Sequence, residues 1–570
     1  MPGIVVAAVA GGLFFLGYRY YSRYIAERVY ALDPNFVTPS HEFEDGVDYV
    51  PTNKHVLFGH HFTSVAGAAP IVGPAIAVFW GWLPALLWVI LGTIFAAGVH
   101  DFGSIVVSVR NRAQNIGTLT SSVINARSRT LFLGIIFFLL TMVNAVFAVV
   151  IAILFEANPG AVIPIFFEIP IAIFIGQYVY RTRTSALGPS ILGVVALYLL
   201  ILIGREVPIE IDGLAESFGI GVRTAWVIIM FVYAAIASRL PVWLLLQPRD
   251  YINSHQLFIA LGVIFLGLLI GMDEIVAPAV RSNIPEGSPN WFPFLFVTIA
   301  CGAISGFHSL VASGTTSKQL DKETDARYVG YMGSVGEGSL AVGSILAATA
   351  GVASLGAWQQ GYVDFPTASA GGIGAFVAGV GAFVSNLGVP ETLGAIFASV
   401  VVISFAATTM DTGVRLQRYI IQEIAEVAHF RQVARNLNVV TALAVGIPLI
   451  FALLPGGGEQ GYTFGRLWTL FGTTNQLTAG LALAVIAVWV VSKGRNPTAV
   501  LIPLIFLLAM TSWALFENLR TFIDNGDWVL APLDAVIFGF ALWLIVEAIG
   551  AYRRASAGVE RPLEEAPRRP

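Results

Sequence analysis

The sequence predicts an all-α integral membrane protein with about fifteen spanning helices. Three observations carry that reading. Of 570 residues, 56% are hydrophobic and only 12% charged, whereas an ordinary soluble chain carries about 25% charge. A soluble chain of this length divides into several domains, each needing a charged coat, and the charge to coat them is not here. Apolar runs of about 20 residues, enough to cross a bilayer, recur along the chain, and lysine and arginine gather in alternate connections between them.

Candidate spans fall near 3–22, 56–80, 82–108, 130–155, 161–180, 187–204, 222–246, 256–272, 292–313, 328–352, 391–412, 438–454, 466–492, 498–518 and 531–552. The Gly-rich run 370–388 is short and weakly hydrophobic and reads as a re-entrant or surface-lying helix. Cytoplasmic loops collect basic residues. With the N-terminus outside, alternate loops hold Arg19/Arg23/Arg28, Arg110/Arg112/Arg127/Arg129, Arg181/Arg183, Arg249, Lys318/Lys322/Arg327, Arg415/Arg418/Arg431/Arg435, Lys493/Arg495 and Arg553/Arg554. Counting 370–388 as a span would put Arg415 to Arg435 outside; Arg205, Arg223 and Arg281 are scattered exceptions to the pattern. The expectation is a multi-pass protein of the cytoplasmic (inner) membrane, N-terminus out and C-terminus in. The run 3–18 lacks a basic leader and a small-residue cleavage site, so it reads as a retained span. The tail after Arg553 is polar and Pro-rich and is expected to be disordered.

The formal net charge of −4 points to no nucleic-acid partner. The single cysteine, Cys301, excludes an internal disulfide framework and reads as packing. No metal-ligand spacing, phosphate loop or nucleophile–base motif occurs, so neither an enzyme nor a cofactor is expected.

Function is expected where the apolar regularity fails. Segment 56–80 is interrupted by Gly59, Gly67, Pro70, Gly73 and Pro74; segment 222–246 contains Arg239-Leu-Pro241 and ends at Gln247-Pro248-Arg249-Asp250; segment 292–313 runs out through SGFHSLVASGTTSK. Breaks at membrane depth survive where protein or a water-filled cavity takes up the freed backbone groups, and transporters aim such half-helices at solute and ion. Phe62-Thr-Ser-Val-Ala-Gly67 faintly echoes His308-Ser-Leu-Val-Ala-Ser313, as an inverted duplication would.

Ionisable groups inside the membrane are functional candidates because burying them costs energy. His60 and His61 suit a proton relay or a polar anchor, and His308, with Ser309 beside it, a substrate or proton contact. Asp101, after His100, can take a proton or pair with Arg110 or Arg112. Glu337, between Gly336 and Gly338, can carry a proton or pair with a nearby base, and Asp411 can couple or pair with Arg415. Arg239, near Gln247, is the candidate clamp for a carboxylate, or else the partner of a buried acid such as Glu168. Asn475 and Gln476 can bond an amide but lie outside the presumed core.

At these motifs the chain resembles the carbon starvation protein A family of bacterial membrane transporters. The matching stretches are GHHFTSVAGAAPIVGPAIA (59–77), GVHDFGSIVVSVRNR (98–112), LPVWLLLQPRDYINS (240–254), FPFLFVTIACGAISGFHSLVASGTTSKQL (292–320), ETDARYVGYMGSVGEG (323–338) and LFGTTNQLTAG (470–480). The resemblance implies a place in the amino acid–polyamine–organocation superfamily, with a LeuT-like five-plus-five inverted-repeat core and discontinuous helices. It divides the chain into an N-terminal span with its following segment (1–55), two repeats (56–204 and 205–436), accessory spans (437–552) and a tail (553–570). The preferred register sets 56–80 against 222–246; in it 292–313 is the eighth core helix, and Ser313, Thr315 and Thr316 would face the carbonyls of Ala66, Gly67 and Ala68 at a cation site. The echo suggests instead 56–80 against 292–313. The implied activity is uptake of small peptides or pyruvate with a proton or sodium ion, in nutrient limitation; a channel or a nutrient-sensing receptor is the alternative.

Overall fold

Helices laid side by side form the protein, and two of the rods are interrupted near mid-length. The structure, a computed structural model, describes residues 1–46, 48–182, 184–454 and 464–558. Among the described residues there is no β-strand, and eleven helices are long and apolar enough to cross a membrane, or up to thirteen if the bent pairs Lys54–Val65 with Ala69–Trp80 and Glu323–Ala350 with Leu355–Gly361 each count as one span. In order the elements are α1 (Gly3–Val29), the bent pair α2 (Lys54–Val65) and α3 (Ala69–Trp80), α4 (Trp82–Arg110), α5 (Arg127–Ala157), α6 (Pro159–Thr182), α7 (Leu187–Glu206), α8 (Val222–Ala237) and α9 (Leu246–Gly271). The split pair α10 (Trp291–Thr298) and α11 (306–319) follows, then α12 (Glu323–Ala350), α13 (Phe365–Ser385), α14 (Glu391–Val427), α15 (Leu437–Ala452), α16 (Leu467–Ser492), α17 (Thr498–Asp524) and α18 (Leu530–Ser556). This is a multi-pass membrane protein. The tail expected to be disordered after Arg553 stays helical to Ser556, and residues beyond 558 lie outside the described ones, as does Arg183.

Between α2 and α3 the axis turns by 50°. Pro70 favours the turn, because a proline has no N–H for the carbonyl of Ala66 four residues back and its ring crowds it. Ile71 gives its N–H to Ala68 (3.1 Å) instead of Gly67. The carbonyls of Ala66 and Gly67 are thereby left outside the helix ladder.

The sequence reading prefers 222–246 as the second broken helix; the structure puts the break at 299–305. Arg239-Leu-Pro241 is a connection, because α8 stops at Ala237 and α9 starts at Leu246. A proline that ends a helix and one that bends it look alike in hydropathy. Between α10 and α11, Ile299 leaves helical geometry (φ −94°, ψ 60°) and Gly302 takes φ +90°, where a side chain is strained. The two broken rods meet: a Cβ on Gly73 would lie 2.5 Å from the carbonyl oxygen of Thr298, and one on Gly302 3.4 Å from Cα of Pro70.

The bundle has two recognisable rims. At one, Gly3 N–H bonds Asp273 O (2.8 Å), Val276 N–H bonds Thr349 O (3.0 Å) and Trp80 Nε1 donates to Pro289 O (3.0 Å). The other is rich in arginine. There Arg110 grips Glu323, Arg129 lies 3.1 Å from Glu423 and Arg495 donates to Tyr30 O (2.5 Å). The segment from Tyr30 to Asn53 straps this second rim, with Ser40 Oγ on Leu320 O (2.7 Å) and Thr52 N–H on Gln319 O (3.0 Å).

By length and hydropathy α13 qualifies as a span. Both its ends nevertheless touch the first rim. Phe365 packs on Phe79 and Trp80, and Asn386, just past its end, bonds Asp273 (2.7 Å).

If the close approach of α3 to α10 holds the two rods together, Gly73→Val forces them apart. Overpacking of this kind costs about 1–3 kcal/mol, so detergent-solubilised protein should melt several degrees lower. Gly188→Ala, at a glycine with nothing within 4 Å of an added Cβ, should leave the melting temperature unchanged.

Candidate functional site

In a bilayer every backbone polar group at a break needs a partner, and side chains of three neighbouring helices supply them at 299–305. Gln476 Nε2 donates to Phe296 O (2.6 Å), Trp468 Nε1 to Thr298 O (3.2 Å), Trp88 Nε1 to Ile299 O (3.3 Å) and Thr93 Oγ1 to Gly302 O (3.2 Å). In return, Gly302 N–H donates to Glu337 Oε1 (3.0 Å) and Phe307 N–H to Asn475 Oδ1 (3.0 Å). Asn475 and Gln476, expected outside the core, thus bond the chain's own backbone beside its centre.

Three expected residues converge at this break. Asp101 on α4 accepts from His100 Nδ1 (2.7 Å), His308 Nδ1 (2.9 Å) and Ser334 Oγ (2.7 Å), and His308 Nε2 lies 3.3 Å from Glu337 Oε1. Asp101 and His308 are 0% exposed and Glu337 1%. Asp101 does not pair with Arg110 or Arg112; those reach Glu323 and Glu42 at the rim. The base near Glu337 is His308. The glycines beside Glu337 admit protein groups, Gly336 the ring of Phe62 and Gly338 the hydroxyl of Thr93.

A second buried cluster lies on the other side of α2. Arg249 on α9 reaches Asp411 Oδ2 (3.0 Å), Glu168 Oε1 (3.4 Å) and Tyr233 Oη (2.6 Å). Tyr233 donates to Asp411 (2.6 Å), Ser404 to Glu168 (3.0 Å) and Asn253 Nδ2 to Thr408 Oγ1 (2.9 Å). Ser404, Thr408 and Asp411 follow helical spacing, as do Arg249 and Asn253, so two polar stripes face each other. Asp411 therefore pairs with Arg249, not Arg415, which caps the carbonyls of Ala237 and Leu240 (3.3 and 2.8 Å). The partner of Glu168 is likewise Arg249. Arg239 and Gln247, the expected substrate contacts, are exposed in and just after the α8–α9 turn.

His60 and His61 point to different neighbours, as successive helical residues must. His61 Nδ1 bonds Thr316 Oγ1 (2.8 Å), and His60 Nδ1 lies 3.4 Å from Asp250. Ser309 donates to Gly306 O (2.7 Å) and Ser313 to Ser309 O (2.5 Å), while Thr315 is exposed and bonds its own helix at Val311 O (2.9 Å). Ser313, Thr315 and Thr316 do not face the α2–α3 break. The hydroxyl there is Thr409 on α14: a Cβ added to Gly67 would lie 2.8 Å from its Oγ1. Ala66 and Ala68 are fully buried beside it. Sequence reasoning missed Arg249, Asp250, Tyr233, Asn253 and Thr409. The one available signal was the charged pair Arg249-Asp250 leading straight into an apolar run.

Removing one partner of a buried ion pair strands the other charge, at a cost of about 3–5 kcal/mol. Arg249→Met should destabilise the solubilised protein by that amount. Arg239→Met, at an exposed turn, should stay within about 0.5 kcal/mol of the parent. Thermal unfolding of both variants checks the ranking, and an equal loss in both would contradict the geometry.

The family model for carbon starvation protein CstA matches residues 2–357 and 359–514. The peptide transporter CstA of Mycobacterium tuberculosis is 34% identical over 578 residues, which covers 90% of this chain and 75% of that protein. The pyruvate/proton symporter BtsT of Escherichia coli is 31% identical, over 92% of this chain and 82% of that one. The peptide transporter CstA of Escherichia coli is 32% identical, over 89% and 80%. Among solved structures, a manganese transporter of Eremococcus coleocola aligns at TM-score 0.44 and 14% identity, over 90% of this chain and 99% of its own. MhsT in complex with L-phenylalanine aligns at 0.42 and 12%, over 87% and 99%. With the family model matched along nearly its whole length, this chain belongs to the carbon starvation protein CstA family.

Proposed function

We infer that the chain is a secondary active transporter, importing small peptides or short carboxylates such as pyruvate with a proton or sodium ion by alternating access. The observation that carries this is the meeting of the two breaks. One, at 299–305, has its backbone groups bonded by side chains. The other leaves the carbonyls of Ala66 and Gly67 outside the ladder, beside Thr409, where a solute or cation is gripped. Relatives named as peptide transporters and as a pyruvate/proton symporter support the substrate range.

The packing supports a five-plus-five core in the register of the 62/308 echo. Its halves are α2/α3, α4, α5, α8 and α9, then α10/α11, α12, α14, α15 and α16. α5 lies along α14 and α8 along α15; α9 packs on α2 and α14, while α16 packs on α11 and α5. These contacts exchange under a twofold relation, as inverted repeats require. On this reading α6, α7 and α13 are insertions, and α13 lies across the first rim instead of crossing the bilayer. On this reading the arginine-rich rim faces the cytoplasm and the N-terminus lies outside.

Coupling is assigned to the cluster around Arg249. Glu168, Asp250 and Asp411 set three carboxyls against one guanidinium, with His60 and Tyr233 the titratable neighbours and Arg415 occupied at nearby carbonyls. A low-dielectric interior does not hold unbalanced charge, so the cluster takes up protons or a cation and releases them as the halves rock.

Purified protein in liposomes should accumulate labelled pyruvate, competed by di- or tripeptides, only under an inward proton or sodium gradient. Asp411→Asn should keep exchange across the membrane but lose gradient-driven accumulation. Failure of every peptide and of pyruvate to accumulate under either gradient rejects the transporter reading; an unaltered Asp411→Asn rejects the coupling assignment alone.

A further inference from the structure

We propose that Cys301, His308 and Glu337 form a binding site for a thiophilic divalent metal ion of the zinc class. Cys301 sits in the α10–α11 break, His308 in the first turn of α11 and Glu337 on α12; all three are buried. One ligand atom from each lies within 4.8 Å of the other two. In a tetrahedral zinc site, bonds of about 2.0–2.3 Å place ligand atoms roughly 3.3–3.7 Å apart. The His308 Nε2–Glu337 Oε1 separation is already 3.3 Å.

The hydrogen bonds around the trio prepare it for a cation. Asp101 is an acceptor only, so the 2.9 Å contact puts the His308 proton on Nδ1 and leaves the lone pair on Nε2. That nitrogen is buried, makes no hydrogen bond, and faces a carboxylate oxygen already accepting from Gly302 N–H. Two acceptors face each other across 3.3 Å, an arrangement that calls for a positive guest between them. A carboxylate on the far nitrogen of a histidine is also the usual device for orienting a metal ligand. The third corner is prepared too: Asn475 Nδ2 lies 3.2 Å from Cys301 Sγ, a donor that stabilises thiolate. Thiolate and carboxylate together neutralise a dication, and the sulfur selects zinc, cadmium or cobalt over magnesium or calcium.

Such an ion ties the break and α11 to α12, so its occupancy holds the broken rod against its neighbour. Slowed uptake is the expected consequence; that arm rests on the transporter reading, whereas binding itself does not. The test is cobalt titration of the full-length reduced protein in detergent. The wild type should bind one equivalent with a thiolate-to-cobalt charge-transfer band and the visible bands of tetrahedral geometry, displaced by zinc. Cys301→Ser should lose the charge-transfer band while melting as the wild type does without metal. Asp101→Asn should keep the band and bind about 10–100-fold more weakly. Zinc should slow pyruvate or peptide uptake by wild-type proteoliposomes but not by Cys301→Ser. No saturable cobalt band in the wild type, meaning that a proton alone sits between His308 and Glu337, overturns the proposal. So does an undiminished band in Cys301→Ser. A band without any measurable uptake would uphold the site and reject the transporter reading.

Discussion

Everything in this architecture depends on the need of a peptide group for a hydrogen-bond partner where no water is at hand. An unbroken helix meets that need from within; a broken one must borrow. At 299–305 the loan comes from Thr93, Trp88, Glu337, Trp468, Asn475 and Gln476, on α4, α12 and α16. At 66–68 Pro70 leaves the ladder open next to Thr409, and under the proposed function that break is the one left for a guest. The two interruptions look alike in sequence but find their hydrogen-bond partners differently.

Buried charge is managed by the same logic. One cluster, around Asp101, joins α4, α11 and α12; the other, around Arg249, joins α6, α8, α9 and α14. α2 runs between them, and its two adjacent histidines address one neighbour each, His61 toward Thr316 and His60 toward Asp250. A tilt of α2 about its hinge at Ala66 therefore changes both environments at once. The segment that runs on from Tyr30 bonds the end of α4 through Ala31 and Glu42 and the end of α11 through Ser40 and Thr52, so such a tilt would also load the arginine-rich rim.

Much of this was legible beforehand. Hydropathy located most of the rods, because a bilayer imposes one length and one composition on what crosses it; it ran 222–246 together where α8 stops at Ala237, and passed over the span-length α13. The Gly/Pro density of 56–80 located its break, because proline removes a specific N–H. Asp101, His308 and Glu337 stood out as ionisable groups in apolar runs. Their distant partners did not: Arg110 and Arg415 were nearer in sequence than His308 and Ser334, which bond Asp101, or Arg249 and Tyr233, which bond Asp411, and covalent proximity says nothing about which faces of distant helices meet. Arg239 was the conspicuous arginine because Pro241 follows it. Arg249, ten residues on, is the buried one, since α9 begins between them and carries it inward.

By itself, then, the sequence determined the medium, the approximate placement of most apolar rods, and positions where proline and glycine forbid an unbroken helix. These follow from local chemistry, from side-chain hydrophobicity and backbone donors that each residue has or lacks. Only the tertiary structure decided which two breaks meet, which carboxyl faces which histidine or guanidinium, and that Cys301 lies beside His308 and Glu337. Those are matters of helix rotation and contact between segments tens to hundreds of residues apart, set by how glycine-lined surfaces such as Gly73 and Gly302 let one backbone approach another.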